Sequence, residues 1–215
     1  MKELIMRRLF VITFFAVGLL MVGCSENEKN QTSQEQPAYG NIYNQNDIAG
    51  IGNLVMLRTT MGNIVIEMQP QAAPYTVNNF LRYVTSGFYN GLIFHRVMSG
   101  FMIQGGGLNA QMQEKITNPP VRNEFNISNT RGTVAMAKLG GDPDSATSQF
   151  FINVADNSRN LDNQNGGFTV FGVVVEGMDI VDKIAKVRTT RRNQMSDVPV
   201  EPIIITSATV LSQDW

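Results

Sequence analysis

Residues 94–106 read Phe94-His95-Arg96-Val97-Met98-Ser99-Gly100-Phe101-Met102-Ile103-Gln104-Gly105-Gly106. Two short apolar runs flank a Ser-Gly break, the pattern of two strands joined by a turn. Arg96 interrupts the first run and Gln104 ends the second, where ordinary core strands need neither. The stretch therefore predicts two strands whose shared surface carries an arginine, a glutamine and bulky apolar groups. Strict alternation puts Phe94 and Arg96 on one face and His95 on the other. It also puts Met102 with Gln104 and leaves Phe101 opposite them.

Working outward, residues 54–59 and 62–68 are rich in strand formers around Gly62 and read as a hairpin. Pro74 opens a helical stretch in which Val77, Phe80, Leu81 and Val84 fall on one stripe, with Gly87 as its stop. Residues 93–97, 101–105, 133–137, 149–153, 168–175 and 202–211 are further strands, and Met178, Val181 and Ile184 mark a second short helix. Eight short strands with turn signals between them, and two helices, predict a mainly β fold built as a closed antiparallel barrel; the eight-stranded barrel capped by two helices is what the family resemblance given below implies.

Composition narrows the chemistry. The chain has 215 residues, 43% hydrophobic and 16% charged, with a net charge of −1, which excludes a general nucleic-acid binder. One cysteine, Cys24, and one histidine, His95, exclude an internal disulfide and a His/Cys zinc cage. Any nucleophile–histidine dyad would have to use His95, which reads as a hydrogen-bonded structural residue. Gly105-Gly106-Gly107 is not followed by a helix pattern and reads as strand-end packing rather than a phosphate loop. Asp142-Pro143-Asp144-Ser145 lacks the glycine and glutamate of a calcium loop and reads as a turn. Arg191 and Arg192 read as solvated loop charges.

The N-terminus has its own logic. Lys2, Arg7 and Arg8 precede an apolar run from Leu9 to Val22, shorter than the roughly 20 residues of a membrane span. A charged start, a short apolar core and small Gly23 form a secretory signal over residues 1–23. The run ends at Cys24 and turns polar at once, which resembles a bacterial lipoprotein signal with Cys24 as the lipidated residue. Met21 stands where leucine is usual. Ser25, where a retention signal would carry aspartate, resembles lipoproteins sorted to the outer membrane, facing the periplasm of the cell envelope. Residues 25–53 hold six Asn and four Gln with no apolar period, and read as a flexible tether spanning roughly 30 Å. Residues 54–211 are the folded domain and 212–215 a tail.

Three blocks carry a family resemblance. They are the opening stretch; Thr133-Val134-Ala135-Met136-Ala137 with Ser148-Gln149-Phe150-Phe151-Ile152-Asn153; and Leu161-Asp162 through Val170-Phe171-Gly172. In this order and spacing they closely resemble the cyclophilin peptidyl-prolyl cis-trans isomerases. Gln111-Met112-Gln113 and Asn118-Pro119-Pro120 resemble the bacterial periplasmic branch. The resemblance implies an eight-stranded barrel with two helices, proline-containing polypeptides as substrate, no cofactor or metal, and a monomer. It implies Arg96, Gln104 and Phe101 as the catalytic set. Phe101, Met102, Phe151 and Leu161 match the proline pocket, which requires a bend near Gly100, and Ala137 and Gln149 match further groove positions. Lys138 stands where the best-known members have asparagine, at a position that contacts substrate largely through main chain. Phe168 replaces a common pocket histidine, and Asn160 replaces the tryptophan of cyclosporin-sensitive members, so cyclosporin should bind weakly.

The residues fit such a reaction physically. An arginine holds its proton and cannot shuttle one; it can donate hydrogen bonds or stabilise charge. Rotation about an Xaa-Pro amide needs neither proton transfer nor a covalent step. Its barrier of about 20 kcal/mol comes from the partial double bond. Twisting that bond gives the proline nitrogen a lone pair, and a donor aimed there favours the twisted form. A proline-peptide binding module with little turnover is the alternative from another class, and it would not need that donor.

Overall fold

The computed structural model describes residues 52–212. The first hairpin forms where its composition places it: β1 (Leu54–Thr59) and β2 (Gly62–Met68) pair with Val55 opposite Ile66 and Leu57 opposite Ile64. The remaining strands are β3 (Leu92–Met98), β4 (Met102–Asn109), β5 (Thr133–Met136), β6 (Phe150–Asn153), β7 (Val170–Glu176), β8 (Thr189–Arg192), β9 (Met195–Pro199) and β10 (Ile205–Val210). The helices are α1 (Pro74–Thr85), α2 (Ser158–Leu161) and α3 (Met178–Ile184). Eight strands form one sheet in the order β10-β1-β2-β7-β5-β6-β4-β3, and every pair in it is antiparallel. The chain leading into β10 closes it on β3: Phe94 N donates to the Ile203 carbonyl, Gly91 N to that of Ile205, and Ile93 bridges Ile204. The result is a nearly closed barrel.

Two elements exceed the sequence expectation. α2 is a single helical turn between β6 and β7. Residues 189–199 form a separate β8–β9 hairpin, so Arg191 and Arg192 lie on a strand, exposed, rather than in a loop. All four residues of β8 are exposed, so no apolar alternation announces it. Several strands are also shorter than expected; Phe168 precedes β7 rather than starting it.

The core is aromatic at its centre. Phe80, from the predicted stripe of α1, packs its ring 4.9 Å from Phe171, 5.1 Å from Tyr89 and 5.6 Å from Phe150. α1 lacks a local side-chain cap. The Glu124 carboxylate instead accepts from Tyr75 N at 3.2 Å and from Thr76 N and Oγ1 at 2.8 Å, satisfying the orphan donors of the first turn. Gly87, at φ +68°, ends the helix as expected, with Phe88 N bonded to the Tyr83 carbonyl and Gly87 N to that of Val84.

Gly106 and Gly107 serve packing, as read from the sequence. A Cβ on Gly106 would lie 2.8 Å from the Ser148 carbonyl oxygen, and one on Gly107 would lie 2.7 Å from the Gln149 side chain. The Asp142–Ser145 stretch is a turn in which Asp142 Oδ1 accepts from Asp144 N and the Asp142 carbonyl from Ser145 Oγ. The signal segment 1–23, Cys24, nearly all of the tether and the last residues of the tail lie outside the described residues.

Candidate functional site

Cross-strand register assembles one row on the outer face of the barrel. Arg96 on β3 pairs with Gln104 on β4, Gln104 with Phe151 on β6, Phe151 with Ala135 on β5, and Ala135 with Val170 on β7. Directly paired residues share a face with Cβ atoms about 5 Å apart. The next row, Val97-Ile103-Ile152-Val134, points inward and is buried in the main core. Met98 and Met102 pair at the open end of the outer face.

A bulge decides where Arg96 points. Phe94 pairs with Gly105 and Arg96 with Gln104, so His95 is an extra residue on β3. Strict alternation would keep Phe94 and Arg96 together, and the structure overturns that expectation. Phe94 is fully buried in the core, whereas Arg96 emerges half-buried on the outer face. A two-against-one bulge reverses the side-chain phase at that point. The ion pairs among the described residues are Arg131–Asp182 and Lys183–Asp179, so Arg96 is held by neither.

Three members of this row, Phe151, Ala135 and Val170, belong with Met102 and Leu161 to a second apolar cluster, separate from the main core, with Met98, Phe101, Ile127, Ala137 and Phe168 packed against it. Phe101 joins Met102 there because Gly100 turns the chain at φ +73°, the bend that the pocket required. The Phe101 carbonyl accepts from Val154 N at 3.0 Å and Asn157 Nδ2 at 2.8 Å, which fixes the turn against β6. α2 delivers Leu161, whose carbonyl accepts from Phe168 N at 3.0 Å. The Phe168 and Phe151 rings meet edge to face at 5.7 Å. Asn160 is exposed.

The polar members sit around this cluster. Gln104 Nε2 donates to Gln149 Oε1 at 2.9 Å, so the Gln104 oxygen is the acceptor left for a neighbour. Both glutamines line two clefts. The smaller, about 200 Å³, also takes in Ala137, Lys138, Leu139, Ser145 and Thr147. The larger, about 560 Å³, takes in Arg96 and His95. The Lys138 side chain turns toward the loop before Phe168: Nζ donates to the Asn165 carbonyl at 2.6 Å and to the Gly167 carbonyl at 2.5 Å. It also stands 4.8 Å from the Phe168 ring centroid. Lys138 thus straps one wall of the cluster.

The sequence-predicted residues Arg96, Gln104, Phe101, Met102, Ala137, Lys138, Gln149, Phe151, Leu161 and Phe168 therefore converge on one outer surface. Ala135 and Val170, also in the row, were not singled out from the sequence. Two-residue alternation back from Ala137 would have found Ala135.

His95 is buried, as a structural residue would be, but its Nδ1 has no close hydrogen-bond partner, so it is not the fully hydrogen-bonded residue that the sequence suggests. Burial is the main cause that pushes its pKa down from 6.5 to about 4. The Ile93 carbonyl opposes this, the Arg96 charge adds to it, and Gln149 opposes it. A folded pKa below the unfolded one means that the unfolded chain binds the extra proton between these values. The stability contribution is complete above pH 6.5 and is lost as pH falls toward 4, about 3 kcal/mol in all. Urea midpoints measured across this window should fall with acidity, and His95→Gln should flatten that dependence.

Residues 54–210 match the family described as cyclophilin type peptidyl-prolyl cis-trans isomerase/CLD. The chain is 52% identical over 163 residues to peptidyl-prolyl cis-trans isomerase B of Escherichia coli, covering 73% of this chain and 99% of that one. It is 51% identical over 163 residues to peptidyl-prolyl cis-trans isomerase A of Dickeya dadantii, covering 74% and 85%. A crystal structure of a Cryptosporidium parvum cyclophilin-type isomerase in the presence of the dipeptide Ala-Pro superposes with a TM-score of 0.63 at 25% identity, covering 74% and 99%.

Proposed function

The chain belongs to the cyclophilin-type peptidyl-prolyl cis-trans isomerase family, and from that premise we propose how its residues turn an Xaa-Pro bond. The proline ring enters the cluster of Phe101, Met102, Phe151, Leu161 and Phe168. Arg96 donates to the proline nitrogen as the amide twists and its lone pair appears. Gln104, tied to Gln149, orients the guanidinium and the preceding carbonyl, while the Ala137–Lys138 backbone holds the extended chain.

Magnitudes divide the work. A ~10⁵-fold acceleration needs about 7 kcal/mol. One charged hydrogen bond supplies roughly 1.5–3 kcal/mol. The apolar grip and the fixed carbonyl must provide the rest by favouring the twisted amide over either planar form. The observation that carries this reading is the registered row, which sets Arg96 two strands from Phe151 on the face that holds the cluster. A protease-coupled assay on a proline peptide tests it. Acceleration of the slow phase supports the enzyme, and binding without acceleration supports the peptide-binding module instead.

The departure at Asn160 gives a ligand prediction. An exposed amide offers cyclosporin neither the apolar area nor the indole donor of a tryptophan. Titration should give a dissociation constant above the micromolar range, and submicromolar binding would contradict the prediction.

The place of action is the bacterial envelope. In this reading Cys24 is lipidated and the domain works on a tether at the periplasmic face, with the outer membrane as its anchor, acting as a monomer on envelope polypeptides and assisting their folding. One acyl chain anchors weakly and two or more anchor stably. Mass spectrometry of the mature chain should find a multiply acylated Cys24 at its N-terminus; an unmodified or uncleaved N-terminus would refute the anchor.

A further inference from the structure

We propose that three buried carboxamides, Asn157, Asn153 and Asn129, are positioning residues that set the width of the apolar cluster to a five-membered ring, by tying the segment that carries Phe101 to the segment that carries Phe168. This rests on the reading of that cluster as the seat of the proline. The hydrogen bonds run without a break from one side to the other. Asn157 Nδ2 donates to the Phe101 carbonyl at 2.8 Å and to Asn153 Oδ1 at 2.7 Å. Asn153 Nδ2 donates to Asn129 Oδ1 at 3.3 Å, and Asn129 Nδ2 to the Phe168 carbonyl at 3.0 Å. All three side chains are buried.

The two ends leave this chain of bonds one sense. A main-chain carbonyl only accepts, so Asn157 must turn its nitrogen to Phe101 and Asn129 its nitrogen to Phe168. Asn153 is then held with its oxygen toward Asn157 and its nitrogen toward the Asn129 oxygen. The remaining amide donors are also engaged: that of Asn153 by Thr133 Oγ1 at 2.8 Å, and that of Asn129 by Asp162 Oδ1 at 3.0 Å. Away from water, a network with every donor used keeps one arrangement, because turning any member leaves a buried polar group unpaired.

The walls it joins have little rigidity of their own. Phe101 stands on the turn between β3 and β4, Phe168 on the loop before β7, and Leu161 at the end of α2, a single turn of four residues. A helix so short is not stable by itself. Asn157 fixes its start: its main-chain N donates to the Asn129 carbonyl at 2.9 Å, and its carbonyl accepts from Leu161 N at 2.9 Å. Next to Leu161, Asp162 Oδ1 accepts from Asn129 N at 2.9 Å. Three irregular pieces from separate parts of the chain thus take their spacing from the amides behind them.

The test compares two peptides by NMR exchange, identical except that the proline of one is replaced by pipecolic acid, its six-membered-ring homologue. The wild-type chain should favour the proline peptide in kcat/KM by about tenfold or more, the usual worth of one methylene in a fitted apolar pocket. Asn157→Ala cuts the chain of bonds at the Phe101 end and Asn153→Ala cuts it in the middle, and each should bring that ratio toward one. Thr133→Val removes a buried bond from the side and leaves the path from Phe101 to Phe168 whole. It should lower the thermal midpoint and keep the wild-type ratio. The ratio does not depend on how much of a variant is folded, and should Asn153→Ala fail to fold, Asn157→Ala at the edge of the network decides. The inference is overturned if the wild type turns both peptides equally well, if the cut variants keep the wild-type ratio, or if Thr133→Val shifts it as far as they do. Absence of any acceleration of the proline peptide by the wild type would instead refute the isomerase site itself, and the inference with it.

Discussion

Arg96→Ala is expected to lower kcat/KM for prolyl isomerisation by about 10²–10³-fold, the usual cost of removing one donor aimed at charge that develops in a transition state. The loss should fall mainly on kcat if, as proposed, the guanidinium meets a lone pair that neither planar form presents. Arg96 is half-buried on the outer face, so unfolding free energy should move by no more than about 0.5 kcal/mol. That separates lost chemistry from lost fold. Arg96→Lys should recover only part of the rate, since an ammonium supplies a point charge without the planar fork. A variant with full rate would show that the arginine is not the donor; a variant that loses rate and stability together would assign it a structural role.

The second large effect lies in the core. Phe80→Ala should cost about 3–5 kcal/mol of unfolding free energy. Phe80 is fully buried, and three aromatic rings from β6, β7 and the segment before β3 converge on it, so the void could not close by a local shift. For a domain whose margin is typically 5–15 kcal/mol this is a large fraction, and a thermal midpoint lower by roughly 10 °C should accompany it. Function should follow only indirectly. β6 presents Phe150 to Phe80 and Phe151 to the outer cluster, so a looser core also loosens the floor of that cluster. Urea unfolding checks the prediction, and a loss below about 1 kcal/mol would mean that the core repacks.

Much of this was legible in the chain. The alternation and β-branched content of the barrel strands, the stripe of α1 and the glycine that ends it all follow from local rules that tertiary packing then reinforces. The candidate site residues stand out as a set through the family resemblance of the three blocks, which keep their order and spacing. What stayed hidden depends on long-range geometry. The bulge at His95 is a mismatch between two strands, and nothing in β3 by itself reveals that its partner is one residue shorter. The β8–β9 hairpin has an exposed first strand and a turn without glycine, so both usual signals fail. The Lys138 strap ends on carbonyls 27 and 29 residues away, which become its partners only after folding. The Glu124 cap of α1 is likewise supplied from 48 and 49 residues away, and Glu124 carries no local signature.

The most direct test is a structure of the chain with a short Xaa-Pro peptide, by crystallography or from intermolecular NMR distances. The pyrrolidine ring should lie among Phe101, Met102, Phe151 and Leu161, with an Arg96 nitrogen about 3 Å from the proline nitrogen or the group immediately preceding it. A proline ring bound elsewhere, or seated in this cluster with Arg96 turned away from the amide, would contradict the mechanism.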